Sequence, residues 1–427
     1  MPQQSTIRRI TGRARMSTGR VAAGLGFSGL PLQIYLMLLI TLIYSLGRNL
    51  AFPYLAIYLT SGAASGGLAI DPSVVGLTLM VGGLSSIAAL LVSGSLCDRI
   101  GRKKMLFAFL YPTIFITLSF GFITAPEQII VVYALMGVVG SFYDPAFMAM
   151  VADLIPPARR EEVYGQAYMV GNVGTVVGPL IGGALLETLS YPSLFMITAI
   201  FVVAASVITT IKIKETNPVR SIAQPVSGRF SGIPRDRLFI TFCLLSAMTS
   251  IVYTQLYGLL SVYTEYLGLP AYQFGILFSL NGAMVVLLQI PIRKYAMRIG
   301  STSSFILAQT LYSIGFSLFF FSRDLSLLLL GDVVLTLGEI TFVPASNGFI
   351  ANLAPMDKRG RYMAFAGLFS GLGSSVGSFI GFGFYGLLPH KEQVWALLGG
   401  IGALTVPGYA LLHRKAEQRR SQLPPEH

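Results

Sequence analysis

The sequence predicts an all-α polytopic membrane protein, with twelve transmembrane helices arranged as two six-helix bundles. Three observations carry that prediction. Of 427 residues, 54% are hydrophobic and only 11% charged, with a mean hydropathy of +0.70; an average soluble domain carries about 25% charged residues. Twelve apolar stretches, each near the ~20 residues that cross ~30 Å of hydrocarbon, alternate with short polar gaps. Finally, the basic residues concentrate in alternate gaps, as the retention of Lys and Arg on the cytoplasmic side requires.

The same composition argues against other classes. Cys97 and Cys243 lie in separate apolar contexts with no partner at a ligand-like spacing, and His390, His413 and His427 do not cluster. Neither a disulfide framework nor a metal centre is expected. The net charge of +12 falls in the gaps between apolar runs, whereas a nucleic-acid footprint would gather on one soluble face. No nucleophile–base constellation appears, which argues against an enzyme. The phosphate-cradling pattern Gly-x-x-x-x-Gly-Lys-Ser/Thr is absent; ATP-driven transport is disfavoured and no cofactor is expected.

Taken in order, residues 1–30 hold Arg8, Arg9, Arg13, Arg15 and Arg20 with no acid, the first acidic residue being Asp71. This reads as a basic cytoplasmic tail; an organellar transit peptide has the same composition. Candidate spans follow at 32–59, 74–96, 105–124, 128–150, 164–186, 191–211, 237–260, 272–292, 303–321, 326–350, 361–386 and 394–412. The longest internal polar segment, 212–236, contains Pro218, Pro225 and Pro234 and reads as a flexible linker. It divides an N-terminal bundle (31–211) from a C-terminal bundle (237–412), and residues 413–427 form a second tail. With both termini inside, every Lys and Arg except Arg48, Arg323 and Lys391 lies on the inner side. An inner (plasma) membrane location with cytoplasmic termini follows from that asymmetry.

The halves also repeat. An offset of 199 places Ile100-Gly101 on Ile299-Gly300, Arg99 on Arg298, Pro145 on Pro344 and Arg160 on Arg359. The same offset carries Gly174, Gly178 and Gly182 onto Gly373, Gly377 and Gly381. Parallel duplicated halves are a common transporter plan.

Two motifs identify a family. Between spans 2 and 3 the chain reads Gly94-x-Leu96-x-Asp98-Arg99-x-Gly101-Arg102-Lys103, a charged hairpin with Gly94 and Gly101 at its turns. It resembles the signature loop of the major facilitator superfamily, whose 12-span, 6+6 layout is similar throughout the chain after residue 30. In span 5, Gly165, Gly174, Gly178-Pro179 and Gly182-Gly183 resemble the motif of that superfamily's proton-coupled drug antiporter branch. The resemblance implies the major facilitator fold and a latch in which Asp98 meets the start of span 11 near Gly360-Arg361 in the outward-open state. There are departures. Span 4 lacks the Arg and Gln of many proton-coupled members, reading Tyr133-Ala134-Leu135-Met136-Gly137, and the repeat copy of the loop has Met297 where Asp98 would fall.

Ionisable residues inside spans are the functional candidates, because a charge in hydrocarbon costs several kcal/mol. Arg48 lies ~24 Å into span 1 at ~1.5 Å per residue. Asp144 sits in the inner half of span 4 beside Pro145, and Glu339 near the middle of span 10; Asp332 is closer to an end. A buried carboxylic acid can exchange protons near neutral pH, so Asp144 and Glu339 are candidate proton carriers and Arg48 a residue that tunes them or holds an anionic group. Packing is the competing account of all three, as a structural Arg–acid pair, and of the glycine face of span 5. Asn49, Tyr54, Tyr143, Tyr253, Tyr257 and Asn347 are candidates for an aromatic, amide-dotted substrate cavity. The expected function is alternating-access secondary transport, most simply proton-coupled efflux of small amphipathic compounds. Transport of a specific metabolite or lipid, or a non-transporting receptor or scaffold, are the alternatives. The expected partners are a small-molecule substrate, protons and the bilayer, with the protein a monomer.

Overall fold

The computed structural model describes residues 29–216, 236–355 and 358–421; most of the basic tail, most of the linker and the last residues of the C-terminal tail lie outside the described residues. The described residues are helical with no strand. Twelve long helices follow in order: α1 Leu32–Thr60, α2 Pro72–Ile100, α3 Arg102–Ser119, α4 Pro126–Leu154, α5 Pro157–Leu185, α6 Tyr191–Lys212, α7 Arg237–Tyr257, α8 Ala271–Ile299, α9 Ser301–Phe321, α10 Leu325–Leu353, α11 Arg359–Leu387 and α12 Gln393–Ser421. Eleven are long and apolar enough to cross a membrane. The exception is α3, which opens on Arg102, Lys103 and Lys104 and is otherwise apolar.

Several helices extend past the apolar stretches read from sequence. Hydropathy marks where hydrocarbon would end, while backbone hydrogen bonding continues until something interrupts it. Two glycines supply the interruption at equivalent places: Gly101 (φ +102°) separates α2 from α3, and Gly300 (φ +84°) separates α8 from α9. A side chain at these backbone angles would be strained, and glycine is not. At the opposite end the Asp71 side chain caps α2 by accepting from the Ser73 N–H (2.8 Å), and Asp324 caps α10 through Ser326 and Leu327, so each supplies an acceptor for orphan N–H groups of a first turn.

Helices α1–α6 pack mainly on one another, α5 and α6 against α1 and α4 against α2; α7–α12 repeat the plan, with α11 and α12 against α7. The two sets meet along α2–α11 and α5–α8, and where a short helix after α7, Leu259–Tyr266, touches the end of α1. These contacts concentrate at the end of the molecule opposite Gly101. A Cβ at Gly76 would strike Phe382, one at Gly83 would strike Ser375, one at Gly183 would strike Tyr272, and one at Gly275 would strike Pro179. Towards the other end, which carries Arg99, Arg102, Lys103, Arg293 and Arg298 and is called the basic end below, a Cβ at Gly165, Gly171, Gly360 or Gly367 would meet nothing within 4 Å. The halves are closed on each other at one end and part towards the basic end.

Candidate functional site

The basic turn corrects one expectation from sequence. Gly94 is not at a turn: it lies within α2, which stays helical to Ile100, and the charged hairpin reduces to Gly101 alone. Dense charge is compatible with helix when the side chains reach water, and charge by itself does not end one. Around Gly101 the charges interlock. Asp98 pairs with Arg102 (3.2 Å, one helical turn apart across the break), and Arg102 also pairs with Asp153 at the end of α4 (3.1 Å). The Glu215 carboxylate, just beyond α6, accepts from the backbone N–H of Arg102 (2.9 Å) and Lys103 (3.1 Å). A carboxylate there satisfies orphan donors and complements the positive end of the α3 dipole. Thr216 donates to Asp153 (2.8 Å) and Lys103 Nζ to the Thr210 carbonyl (3.0 Å). In this conformation Asp98 is thus engaged by Arg102. Asp153 and Glu215 escaped the sequence reading, because an acid at the polar margin of a span gives no signal in hydropathy.

The span-5 motif forms a helix contact. A Cβ on Gly174, Gly178 or Gly182 would overlap Ser45, Asn49 or Leu50 of α1, so the bare face lets two backbones approach. Gly373, Gly377 and Gly381 of α11 do the same against Ala247, Ile251 and Gln255 of α7. Pro179 leaves α5 unbroken, and its carbonyl accepts from the Tyr54 hydroxyl (2.5 Å). Gly183 faces α8 in the other half, while Gly165 stands free of contact near the basic end.

Between the halves lies a cavity of about 560 Å³. Its walls include Arg48 and Asp144 together with Tyr44, Tyr133, Tyr143 and Phe109 from the first half, and Gln255, Tyr257, Ser375 and Phe382 from the second. Asp144 is delivered by a break in α4: the helix interrupts after Gly140 and resumes at Tyr143, placing Asp144 in a new first turn. The Arg48 guanidinium stands over the Phe52 ring at 6.0 Å and acts on Asp144 as its charged neighbour. Tyr143 is fixed by a hydrogen bond with Thr41 (2.6 Å) and by Tyr44 and Phe109, whose rings lie 6.1 and 5.2 Å away. One rim is charged and the remainder is aromatic and hydroxylic, which suits an organic molecule with a polar or ionised end.

Glu339 is not part of that lining. It lies behind Tyr253 and Tyr257, whose hydroxyls share a hydrogen bond (2.6 Å), and Tyr257 faces the main cavity. Asn281 of α8 donates to Glu339 Oε2 (2.9 Å) and to Thr336 Oγ1 (3.0 Å). Two turns away on α10, Asp332 is only 3% exposed.

Among the candidate cavity residues, Tyr143 and Tyr257 line the main cavity, whereas Tyr253 lines a small adjoining pocket. Asn49 is buried at the α1–α5 contact and donates to the Ser45 carbonyl (2.9 Å); Tyr54 is buried against Pro179. Asn347 is exposed and does not line the cavity. Both amide assignments fail for one reason: depth along a span is legible in sequence, and rotation of the helix that carries the residue is not.

A family model described as the Major Facilitator Superfamily matches residues 37–287 and 256–427. The chain is 28% identical over 356 residues to a "Na(+), Li(+), K(+)/H(+) antiporter" of Planococcus maritimus, covering 75% of this chain and 81% of that one. It is 26% identical over 396 residues to the "Multidrug resistance protein MdtH" of Yersinia enterocolitica, covering 90% and 95%. Among solved structures, a peptide transporter POT in complex with sulfate superposes with a TM-score of 0.76 at 16% identity, covering 92% of this chain and 96% of that one. The nucleoside transporter NupG does so with a TM-score of 0.77 at 13% identity, covering 90% and 100%. At such identities the solved structures speak for the fold alone.

Proposed function

The chain belongs to the Major Facilitator Superfamily, and on that premise we propose that this membrane transporter is a proton-coupled exporter of small amphipathic organic compounds. The observation that carries the reading is the cavity itself. About 560 Å³ is the size that holds a drug-sized ligand, it lies between the two helix sets, and its charged lining residues are Arg48 and Asp144, set among aromatic rings. The name of the Yersinia relative, a multidrug resistance protein, supports the same substrate class.

In the proposed cycle the two halves rock about this cavity, and the conformation described is the one open towards the basic end. The asymmetry of Lys and Arg supports placing that end in the cytoplasm of a plasma (inner) membrane, with both termini inside. Protonation of Asp144 removes the negative charge that acts on Arg48, and loss of the proton restores it. A substrate with a polar end competes for the same groups, which couples proton and substrate occupancy. Glu339, reached from the cavity through Tyr257 and Tyr253, is the second proton carrier in this scheme. The division into basic tail, two bundles, linker and C-terminal tail, the role of Asp98 as an outward-open latch, and a monomeric working unit belong to the same proposal.

A second reading, exchange of protons for alkali cations, draws on the Planococcus relative's name and on two buried acids of α10, Asp332 and Glu339, on which no basic group among the described residues acts. Reconstituted vesicles with an imposed pH gradient separate the two. Gradient-dependent flux of amphipathic cations or neutral drugs, with internal pH changing in step, supports efflux; no flux of any organic compound overturns it.

A further inference from the structure

Of the residues lining the main cavity, only Arg48 and Asp144 carry a basic or carboxylic group, and both stand exposed to it. Arg48 acts on Asp144 as a charged neighbour, yet neither side chain makes a hydrogen bond or closes an ion pair with any described residue. The contact that the Arg48 guanidinium does make is with the face of Phe52 at 6.0 Å. Both charges act on Tyr44, one turn before Arg48 on α1, whereas of the two only Arg48 acts on Tyr133.

The helices bring the two groups to a similar level without joining them. Gln33 at the start of α1 donates to the Lys214 carbonyl (2.8 Å), and Asp153 at the end of α4 pairs with Arg102, so α1 leaves the basic end and α4 arrives at it. At ~1.5 Å per residue Arg48 lies deeper than Asp144 by roughly 9 Å of helix. Helical side chains lean towards the N-terminus of their own helix. Arg48 therefore leans back towards the level of Asp144, and Asp144 leans inwards to meet it. The facing wall, from the second half, offers Gln255, Tyr257, Ser375 and Ser378 but no charge.

Two opposite charges that face water without touching are both left unanswered once the halves close and water leaves. A cationic ligand would satisfy Asp144 and meet Arg48 as a like charge; an anionic ligand would do the reverse. A neutral ligand would answer neither. Such mismatches are a source of specificity in their own right. We infer that the cavity selects zwitterionic organic compounds, with a carboxylate held by Arg48, an ammonium held by Asp144 and an aromatic body along Tyr44, Tyr133 and Tyr143. Arginine suits its part because a guanidinium grips a carboxylate through two parallel N–H bonds. The inference rests on this cavity being the substrate site of the transporter proposed above, and it narrows the substrates from amphipathic compounds at large to those with one charge of each sign.

The test is equilibrium binding to the full-length protein in nanodiscs, read by dansyl fluorescence against empty nanodiscs. Four probes share one frame: Nε-dansyl-lysine is a zwitterion, its methyl ester a cation, its Nα-acetyl derivative an anion, and the Nα-acetyl methyl ester neutral. The zwitterion is expected to bind tightest, by about tenfold over each of the others. Arg48→Gln changes the order so that the methyl ester binds best, and Asp144→Asn so that the Nα-acetyl compound does. In both variants the zwitterion keeps weaker binding through the aromatic wall. Glu187→Gln, at an exposed carboxylate outside the cavity, leaves the order as it was. If a variant does not fold, the four probes on the wild-type protein decide alone. Zwitterion affinity no higher than that of the cation and the anion overturns the inference, as does binding of none of the four, or an order that both cavity variants leave unchanged. No gradient is imposed, so the efflux reading is judged separately: gradient-driven flux of organic compounds without zwitterion preference leaves that reading standing and removes this one.

Discussion

The Ser61 hydroxyl donates a hydrogen bond to Glu265 Oε1, joining the end of α1 in the first half to the short helix after α7 in the second. This contact belongs to the closed end. Glu265 lies beyond the spanning part of α7, and burial pushes its carboxyl above the ordinary value of 4.5, with the Ser61 bond opposing that more weakly. Tyr191 and Tyr385 also face it. Because the closed state raises the pKa, it binds the proton more tightly than an open, hydrated end would. The extra stability is complete below pH 4.5 and is lost as pH rises through the raised value. Distance measurements between spin labels at Ala64 and Tyr266 are therefore expected to show closure favoured by acid, and Glu265→Gln is expected to remove that pH dependence. A pH dependence unchanged in Glu265→Gln would place its origin elsewhere.

Proton coupling is predicted to depend on Asp144 and Glu339. Neutral Asp144→Asn keeps the shape of the cavity wall but removes the charge that answers Arg48, and Glu339→Gln keeps an acceptor for Asn281. Substrate binding by the purified variants is expected to persist, while substrate-driven changes in vesicle pH fall to background. Full coupling in both variants would leave the Arg–acid pair a structural one.

For Asp98→Asn, stability and transport should separate. The Asp98–Arg102 pair is half exposed on the Asp side, and such pairs contribute about 0–1 kcal/mol, so the melting temperature should scarcely move. Under the latch proposal the carboxylate takes a second partner in the other conformation, so transport is expected to drop. Wild-type transport rates in a correctly inserted Asp98→Asn protein would end the latch proposal.

The glycine stripe should resist even one methyl group. Replacing Gly by Ala inside a helix ordinarily gains up to about 1 kcal/mol, but at Gly178 and Gly377 the added Cβ would overlap backbone atoms of Asn49 and Ile251. Overpacking costs about 1–3 kcal/mol and should win. Gly178→Ala and Gly377→Ala are expected to lower the thermal midpoint, whereas Gly383→Ala, with open space at its Cβ, should not. A midpoint unchanged in Gly178→Ala would mean that α1 and α5 can part at no cost.

The number of long helices, the repeated plan of the two halves and the position of each buried charge along its helix were legible in the sequence, because hydrocarbon thickness and helical rise turn residue number directly into depth. Arg48 and Asp144 are examples: both were found as charges inside spans, and both line the cavity. What a linear reading lacks is rotation about each helix axis and the neighbour it meets. That is why Asn49 and Tyr54, polar residues at the right depth, turn out to hold α1 against α5, and why Gly94 proved to be mid-helix. Asp153 and Glu215 became visible only when the end of α4 and the chain beyond α6 were folded onto the start of α3. Asp332 is the sharpest case. In sequence it is the acid nearest an end and the weakest candidate, whereas packing of α7 and α8 around it leaves a buried oxygen beside Glu339 with no hydrogen-bond partner among the described residues. Sequence determined how deep each charge lies; only the tertiary structure decided which charges face one another, because burial of a polar atom depends on what neighbouring helices bring to it.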